Sequence, residues 1–194
     1  MLNWPNLITA VRVLLAPFMV LFLVRATHAH YTAAFILFLA AAVTDLVDGF
    51  LARRLRRVTD FGKFMDPLAD KVIVVSALVS FLWMRLVPLW MVLAVVGRDL
   101  VITGFRSAAA ARGTFVYASS LAKFKTALLM LAIGMILFHL AVPGWFGDGW
   151  SPRLDAALEW IVSATLWVAV VLTLATGLWY FVKNRQVVAS IFIK

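Results

Sequence analysis

Asp45, Asp48, Asp66 and Asp70 fall close together in a chain whose other stretches are mostly apolar. Asp45, Asp48, Gly49, Ala52 and Arg53 are followed, after eight residues, by Gly62, Asp66 and Asp70. With Asp60, five of the nine acidic residues lie between positions 45 and 70. The i,i+3 spacing of Asp45 and Asp48 and the i,i+4 spacing of Asp66 and Asp70 put each pair on one helix face. A short basic link makes the two helices antiparallel neighbours, so both pairs end near the same surface. Carboxylates are costly beside lipid, which marks intramembrane acids as functional. Four hard oxygen donors suit a divalent cation such as Mg2+ or Mn2+. They could not all stay ionised without cations between them. Two ions about 3.5–4 Å apart would satisfy them, and the usual chemistry of such a pair is in-line displacement at phosphorus. Gly49, Ala52 and Gly62 leave room for a flat group or a phosphate, and Arg53 is placed to meet one. The plain structural alternative pairs the acids with Arg53, Arg54, Arg56 and Lys63. That suits one aspartate among basic neighbours better than two same-face pairs. Asp60 reads as the N-cap of the following helix.

The elements that must carry these groups are membrane helices. Of the 194 residues, 64% are hydrophobic and 14% charged, against about 45–50% and 25% in soluble domains. The fold expected is all-α: an integral membrane bundle of six transmembrane helices forming one domain over residues 1–194, each span about 20 residues long. The spans expected are 7–24, 32–52, 64–84, 88–108, 121–141 and 157–182, the first read as a retained span and not a removed signal. There are no cysteines, which excludes disulfides and thiolate metal sites. The net charge of +9 could suit nucleic acid, but its distribution fits membrane orientation. Basic residues gather in the second link, around the fourth link and in the tail, whereas Arg25, Arg85 and Arg153 stand alone in the other three. By the positive-inside rule both termini are cytoplasmic. Trp83, Trp90, Trp145 and Trp150 then form an aromatic belt at the opposite interface.

The eight positions from Asp45 to Asp70 match a pattern that resembles the signature of the CDP-alcohol phosphatidyltransferases, six-helix membrane enzymes that replace CMP on a CDP-linked lipid by an alcohol. The resemblance implies that Asp45, Asp48, Asp66 and Asp70 bind two divalent ions, Mg2+ or Mn2+. It makes Asp70 also the base, and sets Gly49, Ala52, Arg53 and Gly62 around the nucleotide and its phosphates. Further stretches resemble the bacterial members that use sn-glycerol 3-phosphate as acceptor: Pro5, Asn6, Thr9 and Arg12; Gly97, Arg98, Asp99, Thr103 and Arg106; Ala122, Lys123, Lys125 and Thr126. Asp99 stands where that pattern has Glu, and Ala122 where it often has Gly. The resemblance implies CDP-diacylglycerol and sn-glycerol 3-phosphate as substrates, a homodimer among membrane lipids, and a multi-pass location in the cell inner membrane with the active site facing the cytoplasm.

The residues themselves favour an anionic acceptor. Arg98 and Arg106 are cations in an apolar helix, eight apart and so roughly on one face, and Lys123 and Lys125 begin the next helix. Arginine offers a phosphate bidentate geometry that a neutral alcohol would not need. The alternative is that Arg98 pairs with Asp99 while Arg106 and the lysines snorkel to head groups. Asp99 reads as a structural partner. Asn6, Thr9 and Arg12 form a polar stripe on the first helix; such residues also serve helix packing, and the resemblance assigns Asn6 and Thr9 to the CDP-diacylglycerol phosphates. His28, His30 and His139 receive no role. Two rival functions are another acceptor (phosphatidylglycerol, inositol phosphate or serine) and a cation pathway. A pathway would spread acids over several helices and depths, but here they occupy two helices near one surface.

Overall fold

A computed structural model describes the backbone of residues 4–55, 60–111 and 120–185, with side chains at 11, 13–44, 71–110, 124–147 and 149–185. Among the described residues every regular element is helical: α1 (Trp4–Arg25), α2 (His28–Leu55), α3 (Asp60–Trp83), α4 (Leu89–Ala111), α5 (Ser120–Phe146) and α6 (Pro152–Lys183), with a 3-10 turn at Gly147–Gly149.

Local chemistry explains where the helices stop. Ala26 takes a left-handed φ of 53° just past α1, and its N–H reaches the Leu23 carbonyl at 3.3 Å. Thr27 Oγ1 then accepts the His30 N–H at 3.4 Å, an N-cap for α2. The first link is therefore two residues, not the seven expected, because His28 and His30 belong to α2. At the end of α3 the Arg85 N–H meets the Leu82 carbonyl (3.0 Å) and the Leu86 N–H meets that of Phe81 (2.9 Å). With Arg85 at φ 61° this is a Schellman closure. Pro152 opens α6 in the first-turn position where its missing N–H costs nothing, behind Ser151 Oγ, which accepts from the Arg153 N–H at 3.3 Å. Asp60 is the first residue of α3, and its side chain lies outside the described set.

Among the described residues, Phe124–Phe146 and Pro152–Lys183 are long and apolar enough to cross a membrane; Val13–Arg25, His28–Thr44 and Lys71–Trp83 are shorter apolar stretches. Leu14, Phe18, Ile36, Leu93, Leu131 and Leu178 are all exposed. Exposed large apolar residues on this scale are abnormal for a water-soluble monomer and suit contact with lipid. Trp83, Trp90 and Trp145 are also exposed, as interface tryptophans would be.

The chain forms two compact units, Met1–Leu86 with Ile133–Val162, and Val87–Ala132 with Ser163–Lys194. In the first, α1 packs against both α2 and α3, and Met19, Leu23, Phe38, Ile73, Phe81 and Leu137 are fully or almost fully buried. One end of this unit is tied by polar and aromatic contacts. Trp145 Nε1 donates to Thr32 Oγ1 (2.8 Å), and the rings of Phe35, Phe138 and Trp145 meet at 5.6–6.1 Å. His139 Nε2 lies 3.0 Å from Asp155 Oδ1, which also accepts from Trp150 Nε1 at 2.9 Å. His139 thus has a structural partner that its isolated place in the sequence does not reveal. Gly144 lies against the start of α2, where an added Cβ would collide with His28 Cβ. Gly144→Ala should lower the melting temperature, costing roughly 1–3 kcal/mol. Gly134→Ala, which meets only the edge of the Phe38 ring at 3.4 Å, should change it far less; equal effects would contradict this account.

In the second unit each helix presents a stripe to its interior. On α4 the stripe is Met91, Val95, Arg98, Ile102, Phe105 and Ala109, at helical spacing and largely buried. On α5 it includes Lys125 and Leu129, and on α6 Leu166, Ala169, Thr173, Thr176 and Tyr180. Each stripe is apolar over much of its length and carries polar or charged groups at definite positions.

Candidate active site

The metal-ligand candidates sit at the facing ends of consecutive helices. Asp45, Asp48, Gly49, Ala52 and Arg53 occupy the last three turns of α2, and Gly62, Asp66 and Asp70 the first three of α3. Only four residues separate these helices. No charged residue occurs from Tyr31 to Thr44 in α2 or from Val72 to Trp83 in α3. At 1.5 Å per residue each run is about 20 Å long, so both acid pairs lie at similar distances from the far ends of their helices. The side chains of all eight residues lie outside the described set, as do those of Asn6, Thr9 and Arg12 on α1 and Lys123 on α5. The donor set itself fits a divalent metal: four carboxylates in two helical pairs, with no thiolate or imidazole competing in the segment. Among the described residues no group of three or more His, Cys, Asp or Glu side chains could hold an ion.

The second unit does bring candidate residues together. Asp99 Oδ1 accepts from Arg98 Nη1 at 2.8 Å and from Lys125 Nζ at 2.5 Å. Arg98 Nη2 donates to Thr176 Oγ1 at 3.2 Å. Lys125 is 2% exposed, and a buried ammonium needs such a partner. Asp99 is thus the carboxylate between two interior cations. Its acceptor role also explains why Arg98 can occupy an otherwise apolar stripe.

Arg98 and Arg106, set roughly on one face by the sequence, differ in burial. Eight residues advance the helix by two turns plus about 80°. Arg98 therefore falls within the buried stripe, whereas Arg106, next to Phe105, is exposed. Of the four acceptor-binding candidates, Arg98 and Lys125 are joined through Asp99, Arg106 stands outside that cluster of contacts, and Lys123 is among the residues whose side chains are not described.

The sequence reading gives the sixth helix no functional side chain. Thr173, Thr176, Gly177 and Tyr180 recur at i, i+3, i+4 and i+7, and all four are buried. Thr176 Oγ1 bonds the carbonyls of Leu172 (2.7 Å) and Thr173 (3.0 Å) while accepting from Arg98. Gly177 lets the arginine lie against the helix, because a Cβ there would come within 3.1 Å of Arg98 Cγ. The polar periodicity was the available signal; threonine's ordinary use in helix packing masked it.

The chain belongs to the CDP-alcohol phosphatidyltransferase family, whose model matches residues 2–179. Near-full-length relatives narrow the likeness. The chain is 39% identical to the CDP-diacylglycerol–glycerol-3-phosphate 3-phosphatidyltransferase of Bacillus subtilis, over 96% of this chain and 97% of that one. Proteins of the same name from Cereibacter sphaeroides and Rickettsia typhi are 32% and 35% identical, covering 94% and 93% of this chain and 96% of each relative.

Proposed function

We propose that the protein is a phosphatidylglycerophosphate synthase, transferring the phosphatidyl group of CDP-diacylglycerol to sn-glycerol 3-phosphate with release of CMP. The observation that carries this reading is near-full-length similarity to relatives named CDP-diacylglycerol–glycerol-3-phosphate 3-phosphatidyltransferase. The Arg98, Asp99 and Lys125 cluster supports a phosphorylated acceptor, since its cations are interior and geometrically fixed.

Asp45, Asp48, Asp66 and Asp70 would hold two Mg2+ or Mn2+ ions. Bound there, the ions would supply electrostatic stabilisation of the charge that develops on phosphorus and on the departing CMP. Asp70 takes the proton of the acceptor hydroxyl. The freed oxygen attacks the lipid-side phosphorus; a P–O bond to glycerol forms as the P–O bond to CMP breaks. Gly49, Ala52, Arg53 and Gly62, with Asn6 and Thr9, border the CDP-diacylglycerol phosphates. Arg98, Arg106, Lys123 and Lys125 take the acceptor's phosphate. The reaction requires a pocket open to cytoplasmic solutes and laterally to acyl chains. It belongs with a six-span inner-membrane bundle whose termini and active site face the cytoplasm, assembled as a homodimer.

The test is CMP release by purified protein given CDP-diacylglycerol and sn-glycerol 3-phosphate. Turnover should require added Mg2+ or Mn2+, fall to background on chelation, and return when the ion is restored. Equal turnover in excess chelator would overturn the metal assignment. Transfer to glycerol or serine in preference to sn-glycerol 3-phosphate would overturn the acceptor.

A further inference from the structure

Among the described residues of the second unit, two polar atoms are buried without a hydrogen-bond partner: the Tyr180 hydroxyl and Arg98 Nε. The Tyr180 ring is 6% exposed and meets Phe105 edge-on at 5.8 Å, beside Phe181. The other two nitrogens of the Arg98 guanidinium are engaged by Asp99 and Thr176. Tyr180 follows Thr176 by one turn of α6, on the same face, and Gly177 between them keeps the guanidinium close to that helix.

A buried donor left unmade is destabilising, and a hydroxyl is not retained in an apolar stripe for packing, which phenylalanine would serve better. One N–H and one O–H donor without acceptors, on side chains held by their neighbours, suit an incoming anionic oxygen. We infer that Tyr180 is a specificity-determining residue which, together with Arg98 Nε, hydrogen-bonds the phosphomonoester of the acceptor alcohol. The inference rests on the acceptor reading above and adds α6 to the elements that recognise it. A phosphate could also come from CDP-diacylglycerol, and the two sources separate kinetically.

The experiment uses the full chain in detergent or lipid discs and the variant Tyr180→Phe, which deletes one oxygen. KM for sn-glycerol 3-phosphate should rise about tenfold, while KM for CDP-diacylglycerol stays within about twofold and the ligand-free melting temperature is unchanged or higher. An unchanged acceptor KM, a rise confined to CDP-diacylglycerol, or a lower ligand-free melting temperature would overturn the assignment. Inorganic phosphate supplies a probe independent of turnover: it should raise the melting temperature of the wild-type protein more than that of Tyr180→Phe. If the wild-type enzyme proved to prefer an unphosphorylated alcohol, the acceptor reading would fall. The phosphate response would then decide Tyr180 alone, a difference upholding the subsite and equal responses removing it.

Discussion

Asp70→Asn should cut turnover by at least about a thousandfold while the protein stays folded. A positioned general base is worth about 10²–10⁴, and the same substitution weakens the proposed metal pair. Asp66 and Asp70 stand one helical turn apart in α3, so the amide keeps the size and loses the negative charge. On the proposed arrangement, four carboxylates gathered at one site repel one another in metal-free protein. Removing one charge should therefore leave the metal-free melting temperature no lower than wild type. The comparison is Asp60→Asn at the first position of α3, where only a helix-terminal charge effect of about 0.3–1 kcal/mol is at stake. Asp70→Asn protein within tenfold of wild-type turnover would exclude Asp70 as the base.

Asp99→Ala should be among the most destabilising single substitutions in the second unit. Arg98 and Lys125 both bond the same carboxylate oxygen, and the Lys125 side chain is 3% exposed. Removing one partner from a buried ionic group typically costs about 3–5 kcal/mol. Asp99 is itself 26% exposed, which places the expectation at the lower end, about 3 kcal/mol, read as a fall in melting temperature. The double variant Asp99→Ala/Lys125→Met removes a cation along with the carboxylate, so it should recover part of the loss, with a coupling of about 0.5–3 kcal/mol. A melting temperature for Asp99→Ala within about a degree of wild type would show that the carboxylate is dispensable to this cluster.

The acidic segment was legible because its information is local. Two carboxylate pairs at one-turn spacing, separated by a short basic link, need no tertiary contact to be recognised, and helix formation alone fixes the face each pair shares. The helices were legible for a similar reason: long apolar runs must satisfy their backbone internally beside lipid. Their ends were less so. The first link shrank because Ala26 accepts a left-handed conformation without being glycine. The fifth shrank because α5 runs on through Pro143 and α6 starts at Pro152.

Side-chain partnership across helices was mostly hidden. Asp99 could be read as a structural partner, but only the packing of α4 with α5 joined it to Lys125, 26 residues away. Arg98 and Arg106 looked equivalent as cations; their 80° offset about α4 separated them, one inside the stripe and one exposed. The order of residues in α6 does not show that Thr176 bonds Arg98 or that Tyr180 is buried with a bare hydroxyl.

From its residue order alone this chain declares a helical membrane protein with a paired-carboxylate segment suited to divalent ions, because helical period and hydrophobicity act over a few neighbours. Which cations share Asp99, why Arg98 can be interior, and that α6 contributes Thr176 and Tyr180 depend on groups 26 to 78 residues apart. Those relations arise when helices settle stripe against stripe, where the need to satisfy each buried charge selects its partner.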